Sequence, residues 1–153
     1  MAKEMYIEKS ISIDKSKREV FEYLKYTKHQ DQFSVWNMTD PNKTATYIGT
    51  DGTIGFIYNW DSKNKNVGAG SQEIISIDKN EQITYEVRFD RPMKNIAQSQ
   101  FILKEITPNK TELIWTFRGP TKFPMSLLKS LFQKMLGKDI SKSLGNIKII
   151  LEK

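Results

Sequence analysis

The sequence predicts an α+β domain in which an antiparallel sheet packs against one long C-terminal helix. From Met125 to Glu152, apolar residues recur at steps of three and four, which is the spacing of one buried helix stripe. Before this helix, most segments alternate apolar and polar residues, as strands with one buried face do. The helix stripe consists of Leu128, Leu131, Phe132, Met135, Leu136, Ile140, Leu144, Ile147 and Leu151.

The N-terminal part predicts one strand followed by two short helices. Residues Met5 to Ile13 alternate in the manner of a strand with one apolar face. Ser16 followed by Glu19 is a capping box, which marks the start of a helix. Thr27 followed by Gln30 repeats this signal and predicts a second, shorter helix.

Six further strands are expected after a loop over 34–44. Asp51-Gly52 is a strong hairpin turn, and Gly119-Pro120 is expected to end the sheet. The predicted order is therefore one strand, two short helices, six strands and one long helix. The six strands are expected over 44–49, 53–60, 69–77, 82–89, 97–106 and 111–118.

Composition fits a single domain over residues 1–153. Hydrophobic residues make up 38% of the chain and charged residues 27%, which is typical of a globular protein and not of a disordered one. No apolar run approaches the roughly 20 residues of a membrane-spanning helix, so no membrane insertion is expected. The first residues are too polar for a signal peptide and cysteine is absent, so we expect a cytoplasmic protein.

The formal net charge of +6 comes largely from the C-terminal region. Seven lysines lie in the last 33 residues, which could attract nucleic acid or anionic lipid. Lysines also occupy the solvated side of most amphipathic helices, and no nucleic-acid-binding motif accompanies them here. We therefore interpret them as a solvated face and expect no nucleic-acid partner.

Several local patterns occur in an order that resembles one superfamily. The pieces are Ile11-x-Ile13-Asp14-Lys15 with Val20-Phe21, Trp36, Trp60 before Gly68-x-Gly70-x-x-Glu73-Ile74, Phe89-x-x-Pro92, Thr111-x-Leu113-x-Trp115, and Leu144 to Glu152. Together they resemble the START-related, polyketide-cyclase-like (SRPBCC) superfamily, and in particular its bacterial polyketide cyclase/dehydrase branch. The resemblance covers essentially the whole chain.

This resemblance implies the helix-grip fold, in which a seven-stranded antiparallel sheet wraps around the long C-terminal helix. It also implies an apolar cavity between sheet and helix, with the short helices as a lid. The alternative is that the same aromatic residues form a filled core, since protein interiors normally pack densely. The candidate ligand-binding residues are Trp36, Phe56, Tyr58, Trp60, Tyr85, Phe89, Phe101, Trp115, Phe117, Phe132 and Met135.

Catalytic and metal-binding patterns are sparse. His29 is the one histidine and lies in a polar stretch, so we expect it to be an exposed helix residue. With no cysteine, a zinc site would have to rely on carboxylates, which disfavours zinc. No cofactor motif is present, and we expect neither cofactor nor metal. Glu73 is the catalytic candidate, because it shares a face with Ile75 and Ile77 and a buried carboxyl would have a raised pKa.

Three functions are compatible with these residues. The first is a ligand-binding or carrier protein for a small hydrophobic or aromatic molecule. The second is a cyclase or dehydratase acting on a polyketide-like substrate, with Glu73 and a tyrosine as proton-transfer groups. The third is a co-chaperone-like module that contacts a protein partner and has a filled core. The sequence is compatible with either a monomer or a homodimer.

Overall fold

The computed structural model describes residues 3–91, 93–121 and 129–153. The N-terminal strand β1 is followed by helix α1, a 3₁₀ turn and two further short helices, α2 and α3. Six strands and the long helix α4 complete the fold. The elements are β1 Lys3–Ile13, α1 Lys17–Leu24, the 3₁₀ turn Thr27–His29, α2 Gln30–Phe33, α3 Val35–Met38, β2 Thr44–Ile48, β3 Ile57–Asp61, β4 Ala69–Asp78, β5 Gln82–Arg91, β6 Asn95–Thr107, β7 Lys110–Thr121 and α4 Lys129–Leu151.

The seven strands form one sheet in the order β1-β7-β6-β5-β4-β3-β2, and every neighbouring pair is antiparallel. The predicted α+β class with a seven-stranded antiparallel sheet and a long C-terminal helix is confirmed. β7 continues through Gly119-Pro120 to Thr121, so the prediction that this dipeptide ends the sheet is wrong. β3 begins only at Ile57, because 49–56 form an extended turn that leaves Ile54 64% exposed.

The first helix begins as predicted. The Ser16 side chain accepts a hydrogen bond from the backbone N–H of Glu19, which satisfies one of the free donors at the helix start. At the second predicted cap, Thr27 makes no such bond and is buried. Instead, the backbone N–H groups of Thr27 and Lys28 donate to the two carboxylate oxygens of Asp51, at 2.7 and 3.0 Å.

The predicted loop over 34–44 contains a helix that the sequence analysis missed. Ser34 caps α3 by accepting from the backbone N–H of Asn37 at 3.4 Å. The backbone N–H of Val35 donates to the Ser143 hydroxyl of α4 at 2.9 Å, and Asn146 of α4 donates to the Phe33 carbonyl at 3.0 Å. These bonds tie α2 and α3 to the long helix.

Helix α4 packs chiefly on β1 through one buried face. This face comprises Gly137, Ile140, Ser143, Leu144 and Ile147. The predicted stripe is too wide at its N-terminal end, since Leu131 and Met135 are 53% and 54% exposed. The predicted start of the helix at Met125 lies outside the described residues.

The interior is densely packed on the side of α1 and α2. Phe101 is fully buried and meets Trp115 at 4.7 Å, Tyr85 at 5.9 Å and Phe33 at 6.3 Å between ring centroids. The rings of Phe33 and Trp115 meet edge to face at 5.9 Å, a favoured aromatic geometry. Beyond this cluster, towards α3 and the first half of α4, the rings no longer fill the space.

Candidate ligand-binding cavity

A cavity of about 310 Å³ lies where the sheet and α4 separate. Its walls come from the inner face of the sheet, from α2 and α3, and from the first turns of α4. On α4 the wall residues include Phe132, Leu136 and Ile140, which recur at a helix spacing. Most of the lining is apolar, which is how small-molecule sites are usually built.

All three tryptophans of the chain line this cavity. The Trp60 indole N–H donates to the carbonyl of Val67 at 3.1 Å, and the Trp115 indole N–H donates to the Ser99 hydroxyl at 3.0 Å. These bonds satisfy the polar tips of the two buried rings and leave their apolar surfaces for the interior. Trp36 lies in α3 and not in a loop as predicted.

The ring of Phe89 lies between two of these indoles. Its centroid is 6.5 Å from that of Trp36 and 5.9 Å from that of Trp60, in both cases edge to face. The ring centroid of Phe117 also lies 6.5 Å from that of Phe89. One sheet face and one short helix thus form a continuous aromatic wall.

The structure brings seven of the candidate ligand-binding residues together around the cavity. They are Trp36, Tyr58, Trp60, Phe89, Trp115, Phe117 and Phe132.

The other four candidates lie elsewhere. Phe56, Tyr85 and Phe101 are at most 1% exposed and belong to the packed core, so their assignment to the cavity wall was wrong. For Phe101 the physical reason is that Phe33 of α2 packs on its ring, and Tyr85 in turn packs edge to face on Phe101. Met135 is exposed because the helix turns its neighbour Leu136, and not Met135, towards the cavity.

Glu73 does not point into the interior. On β4 the inward positions are Gln72, which lines the cavity, and Ile74, which is fully buried. Glu73 lies between them on the outer face, where its carboxylate meets Arg88 at 3.0 Å. A register shift between Ile74 and Ser76 interrupts the alternation of side chains along β4. The inward side of the sheet therefore cannot be assigned to Glu73 from the position of Ile77.

His29 is half-buried, contrary to the expectation of an exposed histidine. Its ring stacks on Tyr23 with 4.4 Å between centroids, and its Nδ1 lies 2.6 Å from the backbone carbonyl oxygen of Tyr23. It does not line the cavity. Among residues 3–91, 93–121 and 129–153, no three potential metal ligands come together.

A polar network that sequence reasoning missed lies at one side of the cavity. The Tyr58 hydroxyl donates to a carboxylate oxygen of Asp31 at 2.7 Å. The same oxygen receives the Lys43 ammonium at 3.2 Å and the Asn37 amide at 3.2 Å. Tyr58, Lys43 and Asn37 all line the cavity. Asp31, Asn37 and Lys43 come from segments without a periodic pattern, so the sequence contained no signal that would have brought them together.

Burial governs the ionisation of three tyrosines, of which only Tyr58 lines the cavity. Desolvation raises the pKa of Tyr58 far above its ordinary value of 10.0, and the hydrogen bond to the Asp31 carboxylate raises it further. Burial also strongly raises the pKa of Tyr85 and raises that of Tyr23 to about 12. These phenols therefore stay neutral in the folded protein.

We expect the protein to lose stability as the pH rises from 10 to 12. A tyrosine with a raised folded-state pKa ionises more readily in the unfolded chain, so its contribution is complete below pH 10 and is lost as the pH rises through about 12. Urea denaturation across this range measures the loss. Phenolate absorbance provides the control, because folded protein should ionise fewer of its six tyrosines than urea-unfolded protein at the same pH. Equal ionisation in both states would contradict the burial described here.

Comparison with solved structures agrees with this architecture. Norcoclaurine synthase from Thalictrum flavum superposes with a TM-score of 0.72 at 11% identity, over 99% of this chain and 88% of that one. The protein Ara h 8.0201 gives a TM-score of 0.65 at 11% identity, over 97% and 98%. The chain has the helix-grip fold of Bet v1-like proteins.

A third similar structure comes from a bacterium. The Aha1 dimer from Colwellia psychrerythraea has a TM-score of 0.66 at 14% identity, and the match covers 97% of this chain and 96% of that one. At such identities the likeness concerns the fold alone. The sequence matches no protein-family model and no curated protein. In the described part of the chain, no helix is both long enough and apolar enough to cross a membrane.

Proposed function

We propose that the protein binds a small, largely apolar or aromatic molecule in the cavity between the sheet and α4. The observation that carries this proposal is the interior space of about 310 Å³ bounded by all three tryptophans. Ligand pockets commonly measure about 300 to 1,000 Å³ and combine apolar walls with a few polar groups. The aromatic wall and the network around Lys43 and Tyr58 fit this description.

The helix-grip neighbours are consistent with such a role. The structure of norcoclaurine synthase is in complex with dopamine and hydroxybenzaldehyde, two small aromatic molecules. A carrier or binding protein, as the resemblance to the polyketide-cyclase-like branch implies, needs only the cavity. A cyclase or dehydratase would also need proton-transfer groups, and the outward position of Glu73 counts against the carboxyl of the expected pair, whereas Tyr58 could still supply the tyrosine. The co-chaperone hypothesis predicts a filled core, and the cavity of about 310 Å³ counts against it.

A fluorescent ligand and a cavity-blocking substitution test the proposal. N-phenyl-1-naphthylamine is neutral, emits strongly only in apolar surroundings and accepts excitation energy from tryptophan. We expect it to bind the wild-type protein with energy transfer from tryptophan. Leu136→Trp places a large ring in the space that Leu136 borders, and it should weaken binding at least 10-fold, a loss of about 1.4 kcal/mol.

Leu131→Trp is the matched control, because Leu131 lies on the same helix but is 53% exposed and does not border the cavity. It should bind the probe as the wild type does. If the wild type fails to bind the probe, or if both variants behave alike, the cavity is not the binding site and the proposal is wrong.

A further inference from the structure

We propose that the ligand carries a neutral carbonyl oxygen that accepts a hydrogen bond from the Lys43 ammonium at the cavity wall. This inference rests on the proposed function, since it describes the ligand of the same cavity. It goes beyond an apolar fit, because it assigns one polar contact and therefore one orientation to the bound molecule.

Lys43 is held firmly in place. Its side chain is only 9% exposed, an unusual burial for a lysine. The ammonium lies 3.2 Å from the Asp31 carboxylate and donates to the backbone carbonyl of Asn37 at 3.0 Å. An ammonium group has three N–H donors, and these are its two acceptors among the described residues. One donor is therefore left for a molecule in the cavity that Lys43 lines.

The groups in contact with Lys43 decide which acceptor fits at its ammonium; the lining also includes the cations Arg91 and Lys94, of which Arg91 is paired with Asp61. Asp31 neutralises the charge of Lys43, and the same carboxylate oxygen already receives the Tyr58 hydroxyl at 2.7 Å. A ligand carboxylate would add a second negative charge beside Asp31, which is unfavourable in a partly dehydrated site. A carbonyl oxygen of a ketone, ester or amide satisfies the free donor without adding charge. The Tyr58 hydroxyl donates to Asp31, so its donor is already committed.

Three naphthalenes that differ in one substituent test this assignment. 2-Acetylnaphthalene carries the carbonyl, 2-ethylnaphthalene replaces it with an apolar group, and 2-naphthoate replaces it with a carboxylate. Their dissociation constants are measured by displacement of N-phenyl-1-naphthylamine. The measured quantity is the affinity of the ketone relative to the ethyl compound, because this ratio cancels effects on the apolar part of the site.

Lys43→Met should lower this ratio roughly 10-fold or more, which corresponds to the loss of a charge-assisted hydrogen bond. Lys43→Arg keeps a donor and should retain part of the preference. Lys28→Met is the matched control: Lys28 is exposed, lies 4.3 Å above the Tyr47 ring and does not line the cavity. It removes the same charge nearby and should leave the ratio unchanged.

Other results would overturn the assignment in distinguishable ways. If Lys43→Met weakens the ethyl and acetyl compounds equally, Lys43 does not contact the oxygen, although the cavity still binds ligands. If 2-naphthoate binds the wild type more tightly than the ketone and loses most in Lys43→Met, the site is one for acids. If the wild type binds neither the naphthalenes nor the fluorescent probe, the proposed function itself fails.

Discussion

Phe101→Ala is expected to destabilise the protein by about 3–5 kcal/mol, the usual cost of removing a buried phenylalanine. Phe101 is fully buried among Phe33, Tyr85 and Trp115, and these rings belong to three other elements that cannot all move inward. Chemical denaturation followed by far-ultraviolet circular dichroism measures the loss in the free energy of unfolding.

Trp36→Ala should reduce ligand binding while changing the stability of the protein only slightly. Trp36 is half-buried at the cavity wall and its ring packs on Phe89, so we expect a stability loss of only about 1 kcal/mol. Binding of N-phenyl-1-naphthylamine should nevertheless fall, because part of the aromatic wall is gone. If Trp36→Ala destabilises the protein as much as Phe101→Ala does, Trp36 belongs to the packed core. The assignment of Trp36 to a cavity wall separate from the core around Phe101 would then be wrong.

Gly70→Ala is expected to cost about 3 kcal/mol, the upper part of the range for overpacked sites. A Cβ atom at position 70 would lie 2.1 Å from the backbone carbonyl oxygen of Arg88 and 2.8 Å from the Trp60 ring. The ring could rotate, but the carbonyl belongs to β5 and can yield only if the β4–β5 pairing shifts. Because Trp60 lines the cavity, we also expect weaker binding of the fluorescent probe.

Gly145→Ala is the control for this substitution. A Cβ atom there would have no neighbour within 4 Å, and Gly145 lies inside α4. Alanine is favoured over glycine in a helix interior by about 1 kcal/mol, so this variant should be more stable than the wild type. Thermal unfolding of the two variants compares them directly. A neutral Gly70→Ala would contradict the close approach of β4 to Arg88.

The parts of the fold that were predictable are those with a strict period. β5 could be recognised because Ile83, Tyr85 and Val87 alternate with polar residues, and all three are buried as expected. α4 could be recognised because apolar residues recur at steps of three and four, and those in its second half form the buried face. A strand or a helix that buries one face needs apolar residues at the period of that element. The periodic sequence therefore predicts both the type of element and the face that it buries.

The remaining parts depend on contacts between distant segments. Nothing near Ser34 in the sequence shows that Val35 will donate to Ser143 of α4, so α3 was missed. The register shift after Ile74 is likewise invisible in the alternation, and it misled the placement of Glu73.

The boundary between packed core and cavity also depends on contacts between segments that are distant in the sequence. Phe101 and Phe117 alternate alike on their strands, and what separates them is which ring lies opposite. Phe101 faces Phe33, whereas Phe117 lies in the cavity wall. This distinction is made by the tertiary structure and not by the local sequence.

The central claim is that the three indoles surround one ligand site. Fluorine NMR of protein labelled with 5-fluorotryptophan tests it most directly, because Trp36, Trp60 and Trp115 each give one resonance and all three line the cavity. During titration with 2-acetylnaphthalene, all three resonances should shift with a single common dissociation constant. Three unmoved resonances at ligand saturation in solution, or a shift of one indole alone, would contradict the account.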